Sequence, residues 1–235
     1  MLYKRILLKL SGELCASAGM ALDLAVVDGI AQEIAHVAHQ GVGVAMVMGG
    51  GNIMRGRLIK TGVEDELAGH RAGMVATVVN GIMLERALIK HGTEAVLMGA
   101  FPVAGFVDAN NPSSARDHLR QGHAVIFVGG TGTPFVSTDS AVVIRSLEAG
   151  AEAIFKIMTE VDGVYDKDPK RFKGAKKFTT LTFDEAITKR LGVMDLDAFI
   201  QAREYKLPIH VFKWGNGRIL KVLKGEKIGS VVSQK

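Results

Sequence analysis

The chain has 235 residues, of which 48% are hydrophobic and 23% charged, so it can form one α/β domain with a real core. We therefore expect a single domain over residues 1–235. The one cysteine, Cys15, cannot form an internal disulfide, which gives no sign of an oxidising compartment. No run of about 18 apolar residues and no signal-peptide cleavage site is evident, so we expect a cytoplasmic protein without a membrane-spanning helix.

The net charge of +5 and the sequence pI of about 9.3 suit either a nucleic-acid partner or a pocket for a multiply charged nucleotide. The densest group of basic residues has few aromatic residues among it, which is typical of a solvated loop and not of an RNA-binding surface. This basic cluster comprises Lys167, Lys170, Arg171, Lys173, Lys176 and Lys177. We expect no nucleic-acid partner.

Apolar periodicity predicts strands and helices that alternate along the chain. The predicted strands cover residues 6–10, 42–48, 95–98, about 103–107, 124–128, 153–158, 209–212 and 228–232. The predicted helices cover residues 24–40, 70–91, 112–121, 141–147, 183–190, 195–206 and 217–223. This alternation indicates a mostly parallel sheet with helices on both faces, and ligands bind such sheets beyond the carboxyl ends of the strands.

Glycine-rich loops follow two of these strands. Gly49, Gly50 and Gly51 would expose successive backbone N–H groups, and Arg55 adds a nearby charge. Residues 129–139 contain three more glycines and lead into a helix, which suits an anion, although the glycines could simply turn the chain and Thr138 or Asp139 cap the helix. Neither GxGxxG nor GxxxxGK[ST] occurs, so any nucleotide site has another design.

Isolated polar residues allow more than one interpretation. Lys9 lies near the end of a buried strand, where it could meet an anion or extend its amine to water. His36 and His39 are three residues apart on a helix, but no further ligand pattern supports a metal site. Asp162-Gly163 is a hairpin-type turn signal, and Tyr165 could enclose a base or belong to an ordinary turn.

Four stretches together resemble the amino acid kinase superfamily, and within it the uridylate kinase family. They are Lys9-Leu10-Ser11-Gly12, Gly49-Gly50-Gly51-Asn52 with Arg55, Thr131-Gly132-Thr133-Pro134-Phe135 through Thr138-Asp139, and Val161-Asp162-Gly163-Val164-Tyr165 with Asp168-Pro169. The resemblance implies a three-layer αβα sandwich around a mostly parallel sheet, a homohexamer, and Mg-ATP-dependent phosphorylation of UMP to UDP. It also implies GTP as activator and UTP as inhibitor.

The resemblance assigns three groups of site residues. The catalytic residues would be Lys9, Arg55 and Asp139. The ATP-binding residues would be Lys9, Leu10, Ser11, Gly12, Gly51, Arg55, Thr159, Tyr165 and Asp168. The UMP-binding residues would be Gly50, His70, Thr131, Gly132, Thr133, Pro134, Phe135, Val136, Ser137 and Thr138. No protein ligand for a metal is assigned, and Mg²⁺ is expected to be held mainly by the nucleotide phosphates.

The chain departs from the family pattern at three places. His70 stands where the family has an aspartate that contacts the UMP sugar, and Thr133 stands where it has an asparagine. An additional residue between Lys156 and Val161 leaves the role of Lys156 open. Two alternatives remain: a kinase of the same superfamily that acts on a carboxylate or carbamate, and a nucleotide-sensing regulator without catalysis.

Overall fold

The computed structural model describes residues 1–59 and 61–234. Its strands are β1 Arg5–Leu10, β2 Gly43–Met48, β3 Ala95–Gly99, β4 Asp108–Ala109, β5 Ala124–Val128, β6 Ala153–Met158, β7 Val164–Tyr165, β8 Lys177–Phe178, β9 Thr180–Thr182, β10 Ile209–Lys213 and β11 Ser230–Ser233. Its α-helices are α1 Leu24–Ala38, α2 Val63–Lys90, α3 Pro112–Arg120, α4 Thr138–Ala149, α5 Phe183–Thr188, α6 Leu196–Glu204 and α7 Arg218–Leu223. Short 3₁₀ helices cover Gly12–Cys15 and Gly56–Leu58.

Nine strands form one sheet in the order β4-β3-β5-β2-β1-β6-β10-β11-β9. All neighbouring pairs in this sheet are parallel except β10 and β11. The prediction of a mostly parallel sheet is therefore confirmed. Strand β1 lies in the middle, between β2 and β6, so the carboxyl ends of these three strands meet at one edge.

The two faces of the sheet carry separate hydrophobic clusters, because successive side chains of a strand point to opposite faces. In β1, Ile6, Leu8 and Leu10 belong to the cluster that includes residues of α1, whereas Leu7 belongs to the cluster that includes residues of α4. Helices thus cover both faces, as the predicted αβα layering requires. By the same alternation, Lys9 shares the face of Leu7 and points towards α4.

The predicted N-cap of α1 is confirmed, whereas those of α4 are not. Asp23 caps α1 by accepting hydrogen bonds from the N–H groups of Ala25 and Val26. The predicted caps of α4, Thr138 and Asp139, are wrong, because Ser137 is the N-cap and its hydroxyl accepts the N–H of Asp139 at 3.1 Å. This shift places Asp139 inside the first turn of α4.

Three predicted elements differ from the structure. Helix α2 begins at Val63 and not near residue 70. Its first turn is acidic and shows no apolar period, which is why the sequence pattern did not predict this start. Residues 103–107 form a turn closed by a bridge between Val103 and Val107, and the strand follows it as β4. Asp162-Gly163 does not turn a hairpin, since β7 pairs with β8 across a connection of residues 166–176. The short strand β9 has no counterpart in the predicted elements.

Helix α2 also differs from the expectation that no segment could span a membrane. By length and composition alone it could, since one 18-residue stretch has a mean hydropathy of 1.4. In the structure 44% of that stretch is buried, and α2 contacts α1, β3 and β5. The apolar residues of α2 therefore serve in part to cover the sheet, as in the core helix of a soluble protein.

His36, His39 and the basic cluster lie at the surface of the protein. His36 is exposed, and His39 Nε2 lies 3.2 Å from the carbonyl oxygen of Gly92. All six members of the basic cluster are exposed. Three of them pair with nearby carboxylates, namely Lys170 with Glu160, Arg171 with Asp168 and Lys177 with Asp162. Exposure of all six agrees with the interpretation as a solvated loop.

A buried histidine lies near the amino end of β10, away from the carboxyl ends of the parallel strands. His210 is 6% exposed, and its Nε2 lies 2.9 Å from the hydroxyl of Tyr3. Its ring also contacts Phe155 with a centroid distance of 5.0 Å. Burial lowers the pKa of His210 to about 4, so the folded protein keeps this imidazole neutral at pH 7.

Candidate active site

Three charged side chains meet at the carboxyl ends of β1 and β6. Asp139 Oδ2 accepts a hydrogen bond from Lys156 Nζ at 2.6 Å, and Asp139 Oδ1 lies 3.8 Å from Lys9 Nζ. The side chains of Lys9, Asp139 and Lys156 are 15%, 13% and 6% exposed. We call these three residues the charged centre. It holds two positive charges and one negative charge in a nearly buried place.

The register of the sheet brings the two lysines side by side. Lys9 and Lys156 are direct partners across the parallel strands β1 and β6, so both point to the face covered by α4. Two like charges in this position repel each other. Asp139 in the first turn of α4 lies between them and compensates for one of the two.

The surroundings change the proton affinities of the charged centre. Burial raises the pKa of Asp139, but the charges of Lys156 and Lys9 outweigh burial and hold this pKa below its ordinary value. Burial lowers the pKa of Lys156, and although Asp139 opposes this effect, the charge of Lys9 adds to it. The carboxylate is therefore ionised at neutral pH.

The loops that follow β1 and β2 pack backbone against backbone. A side-chain carbon added to Gly12 would collide with Asn52 Oδ1 and lie 2.9 Å from the carbonyl oxygen of Gly49 and the nitrogen of Gly51. Asn80 of α2 secures this packing by donating hydrogen bonds of 2.8 Å to Gly49 O and to Asn52 Oδ1. Only glycine fits at position 12 without displacing the second loop.

This packing leaves backbone donors in the loops that follow β1 and β2, at the edge of the sheet where the charged centre lies. Among the residues that the structure describes, the N–H groups of Gly12, Gly50 and Gly51 have no hydrogen-bond acceptor. Leu10 and Ser11 are engaged in the loop itself, because Leu10 O accepts the N–H of Gly49 at 2.8 Å and Ser11 Oγ accepts the N–H of Glu13 at 3.4 Å. Unpaired N–H groups at the same edge of the sheet as two lysines are suited to bind a phosphate.

Arg55 is held by two partners at the edge of the same loops. Its Nε donates to the carbonyl oxygen of Gly51 at 2.9 Å, and its guanidinium pairs with the carboxylate of Glu13. The side chains of Arg55 and Glu13 are 36% and 41% exposed. An arriving phosphate would compete with Glu13 for this guanidinium.

The loop between β5 and α4 is shaped by backbone conformations that favour glycine. Gly129, Gly130 and Gly132 have φ values of 79°, 60° and 80°. The N–H of Gly129 donates to the hydroxyl of Thr77 on α2 at 2.6 Å, which ties the loop to that helix. Thr131 Oγ1 accepts the N–H of Thr133 at 3.2 Å and so closes a local turn.

Helix α2 connects this loop to the loop after β2. A side-chain carbon on Gly50 would lie 2.5 Å from the carbonyl oxygen of Gly73, so the backbone of α2 is close to Gly50. The ring of His70 contacts the ring of Phe135 at a centroid distance of 4.9 Å, and His70 Nε2 lies 3.6 Å from a carboxylate oxygen of Glu66. Phe135 has a φ of 65°, a conformation that non-glycine residues rarely adopt.

The assigned UMP-binding residues lie on helix α2 and on the two loops that it contacts, and we call this set the acceptor rim. It consists of Gly50, His70, Thr131, Gly132, Thr133, Pro134, Phe135, Val136, Ser137 and Thr138. Phe135 and Val136 are 54% and 42% exposed. The acceptor rim joins the charged centre through Ser137 and Asp139 at the start of α4.

The residues assigned to the adenosine side of ATP lie beyond the end of β6. Thr159 directly follows β6. Tyr165 donates its hydroxyl to Asp162 Oδ1 at 2.6 Å, and Asp168 Oδ1 accepts the N–H of Lys170 at 2.9 Å. Their described contacts stay within this local segment and do not reach the charged centre. Thr159, which follows the carboxyl end of β6, nevertheless lies at the same edge of the sheet as Lys9.

The described residues contain no group of three or more His, Cys, Asp or Glu side chains placed to hold a metal ion. Asp139, the carboxylate of the charged centre, already pairs with two lysines. The two lysines and the unpaired N–H groups at this edge of the sheet are donors that suit anions such as nucleotide phosphates, and the carboxylate of Asp195 also acts on Lys156.

Sequence reasoning left the role of Lys156 open, although the structure places it in the charged centre. The available signal was the one that drew attention to Lys9, a lysine inside a run of buried apolar residues. The contributions of Thr77, Asn80 and Glu13 were not predicted either. They depend on contacts between segments far apart in the chain, which no local pattern shows.

Comparisons with known proteins agree with this geometry. The chain matches the Amino acid kinase family over residues 4–213. It is 43% identical over 235 residues to the uridylate kinase of Acinetobacter baumannii, covering 99% of this chain and 97% of that protein. It is 44% identical to the uridylate kinase of Haemophilus ducreyi, covering 99% of this chain and 98% of that one.

A solved structure shares the fold along the whole chain. The crystal structure of UMP kinase from Bacillus anthracis superimposes with a TM-score of 0.95 at 34% identity, covering 100% of this chain and 98% of that one. The predicted αβα architecture and the resemblance drawn from the four loops are both confirmed. The chain belongs to the amino acid kinase family and, within it, to the uridylate kinases.

Proposed function

We propose that this protein is a UMP kinase, which transfers the γ-phosphoryl group of ATP to UMP and gives UDP and ADP. The observation that carries the proposal is the charged centre, which lies at the same edge of the sheet as the unpaired N–H groups of the loops after β1 and β2 and is joined to the acceptor rim at the start of α4. Relatives that are 43% and 44% identical over nearly the whole chain are named uridylate kinases, which supports this choice of acceptor.

Phosphoryl transfer needs positioning and charge stabilisation more than covalent chemistry from the protein. Lys9 and Arg55 would meet the negative charge of the transferring group, with the N–H groups of Gly12 and Gly51 as further donors. Arg55 would exchange Glu13 for phosphate oxygens as ATP binds. The accepting phosphate of UMP is largely ionised at neutral pH, so no strong general base is required.

Asp139 would organise the reacting centre and not take up a proton. It pairs with Lys156 at 2.6 Å and lies 3.8 Å from Lys9, so it sets where the lysines stand. Mg²⁺ would arrive with the ATP phosphates and neutralise part of their charge. In this proposal the protein contributes no separate cage of metal ligands.

The remaining assigned residues divide between donor and acceptor. We propose that Leu10, Ser11, Thr159, Tyr165 and Asp168 line the ATP site, with the last three beside the adenosine. The acceptor rim would hold UMP, with hydroxyl donors from Thr131, Ser137 and Thr138. The hydroxyl of Ser137 accepts the N–H of Asp139, which leaves its own proton free to donate.

Assembly and regulation belong to the same proposal. We propose that the whole chain acts as one catalytic domain in a cytoplasmic homohexamer, with GTP as activator and UTP as inhibitor and with no membrane or nucleic-acid partner. The support for this is the resemblance to uridylate kinases. Light scattering of the purified protein and rates measured with added GTP or UTP test these statements separately.

The acceptor can be identified with an ADP-release assay that offers ATP with UMP, CMP, glutamate, aspartate or carbamate. We expect the highest kcat/KM with UMP, because the acceptor rim offers hydroxyls and backbone donors for a phosphorylated nucleoside. Activity with an amino acid or carbamate but not with UMP would identify another kinase of the superfamily. No turnover with any acceptor, together with nucleotide binding, would identify a regulator.

Lys9→Ala removes one positive charge from the charged centre and so tests the proposed phosphate contact. If Lys9 meets the transferring phosphoryl group, this variant loses most of its turnover while its far-UV circular dichroism stays unchanged. Near-normal turnover in a folded Lys9→Ala protein would contradict the proposed phosphate contact.

A further inference from the structure

Lys156 is a charged residue that the proposed reaction does not yet use. It is 5% exposed as a residue, and it lies in β6 between the fully buried Phe155 and the nearly buried Ile157. A buried ammonium loses its hydration, and an apolar side chain of similar volume is often as stable or more stable at such a place. Its stabilising value alone therefore gives little reason for a lysine here.

The two oxygens of the Asp139 carboxylate lie at different distances from the two lysines. Oδ2 holds a direct hydrogen bond of 2.6 Å from Lys156. Oδ1 is buried without a hydrogen-bond partner among the described residues, and the amine of Lys9 is 3.8 Å away, beyond hydrogen-bond distance. Asp139 is therefore fixed by Lys156, while Lys9 is attracted by the carboxylate but not bound to it.

The consequence for Lys9 follows from the charges. Without Lys156, the carboxylate of Asp139 would have a single cation in reach and could form a close ion pair with Lys9. With Lys156 in place, Asp139 already has a cation at hydrogen-bond distance, the carboxylate of Asp195 also attracts Lys156, and Lys9 stays 3.8 Å from Asp139. An ammonium held only by this 3.8 Å ion pair, with 15% of its side chain exposed, is available to an incoming phosphate.

We propose that Lys156 is a positioning residue for phosphoryl transfer: it fixes Asp139 and so keeps Lys9 free for the transferring group. The inference rests on the proposed function and goes beyond it, since it gives a role to a side chain outside the assigned site. Lys156 acts through Asp139 and does not contact the reacting atoms. The register pairing of Lys9 with Lys156 sets both amines on the face where Asp139 lies.

The first test is the Lys156→Met variant, in which the side chain keeps similar length without charge. We expect kcat to fall about 10²-fold, because misplacing a catalytic group by about 1 Å can cost that much. The KM values for ATP and UMP should change little, since Lys156 touches neither nucleotide. Lys213→Met is the matched control, because Lys213 lies at the end of the neighbouring β10, is exposed, and loses the same charge.

A double-variant cycle separates positioning from direct contact. If Lys156 acts only through Asp139, the protein carrying both Lys156→Met and Asp139→Asn turns over as slowly as Asp139→Asn alone. If the double variant is clearly slower than Asp139→Asn, Lys156 acts on the reacting group itself and the proposal is wrong. Unchanged kcat in Lys156→Met would also overturn it, as would a rise in KM at constant kcat.

A second variant covers a failure to fold. Lys156→Arg keeps the charge and a donor to Asp139, so we expect it to recover part of the turnover lost in Lys156→Met. Loss of folded structure in both variants, measured by circular dichroism, would assign Lys156 to stability and overturn the proposal. The two hypotheses fail differently: absence of UDP from the wild-type protein refutes the proposed function, whereas normal kcat in Lys156→Met refutes only the role of Lys156.

Discussion

The charged centre and the acceptor rim adjoin each other but are built in opposite ways. In the charged centre, three side chains that are at most 15% exposed are fixed by two strands, one helix and direct ion pairs. Most of the acceptor rim is the loop before α4, in which Phe135 and Val136 are 54% and 42% exposed and Thr131 closes a short local turn. The charged centre is held in place before a ligand arrives, whereas the exposed side chains of the acceptor rim are not.

This difference indicates how binding and chemistry are divided. A preorganised charge arrangement stabilises a transition state without reorganisation at the moment of reaction. An open rim can adapt to the acceptor nucleotide and contributes mainly to its affinity. Substitutions in the charged centre should therefore change kcat and stability together, whereas substitutions in the acceptor rim should change KM with little effect on stability.

The largest effect is expected for Asp139→Asn, which leaves Lys9 and Lys156 without their shared counter-charge. Breaking a buried ion pair by removing one partner typically costs about 3–5 kcal/mol of unfolding free energy. We also expect kcat to fall by at least about 10²-fold, with a modest change in the KM for UMP. Denaturant unfolding and steady-state kinetics measure the two quantities.

Asp28→Asn is the matched control for this prediction. It removes a carboxylate 2.7 Å from Lys90, but the two side chains are 36% and 64% exposed. A solvent-exposed pair contributes little to stability, so turnover and stability should stay close to wild type. If Asp139→Asn raised the KM for UMP and left kcat unchanged, Asp139 would be a binding residue and the comparison would fail.

A smaller effect on stability is expected when the pH is lowered. It tests whether a group that is buried but lies away from the site, His210, matters for turnover. The pKa of His210 is about 4 in the folded protein and about 6.5 when unfolded, so the unfolded chain binds the proton more tightly. The stability linked to His210 is thus fully present above pH 6.5 and is lost as pH falls towards 4. The loss amounts to about 3 kcal/mol at most.

Urea unfolding of the wild type and of His210→Gln at pH 7 and pH 4.5 measures this dependence. The wild type should lose more stability on acidification than His210→Gln, whereas His36→Gln at an exposed site should behave like the wild type. At pH 7, His210→Gln should keep normal kcat, because His210 lies away from the site end of the sheet. Equal acid sensitivity of wild type and His210→Gln would contradict the lowered pKa of His210 as the source of this pH dependence.

The smallest effect is expected in the acceptor rim. His70→Asp removes the ring contact with Phe135 and places a second carboxylate beside Glu66 on the same helix face. An aromatic contact contributes about 0.5–1.5 kcal/mol, so we expect the KM for UMP to rise about 2- to 10-fold at nearly constant kcat. Tighter binding of UMP by His70→Asp would instead show that the histidine weakens the site.

Much of the fold was predictable because strong local signals decide it. The apolar runs of β1, β2, β5 and β6 are short, buried and bounded by glycine or polar residues, and the structure confirms each of them. The start of α2 was not predictable in this way, since its first turn carries Glu64, Asp65 and Glu66 on a partly exposed segment.

The candidate site was predictable in its loops but not in its contacts. Glycine-rich loops at strand ends are visible in the sequence and indicate where a nucleotide could bind. The sequence does not show that Lys156 faces Lys9, because this depends on which strands become neighbours and in which register. The contact of His70 with Phe135 likewise joins a helix to a loop about 65 positions away, and no local pattern predicts it.

The pairing of β1 with β6 also has a consequence for how the protein acquires its activity. Lys9 lies near the amino terminus, and its neighbour Lys156 follows only after about two thirds of the chain. Contacts of such long sequence separation form late, because a large loop must close before they are made. A ribosome-bound chain that ends before β6 could fold its first strands but would have no charged centre, so catalytic competence should appear only after about two thirds of the chain has been synthesised.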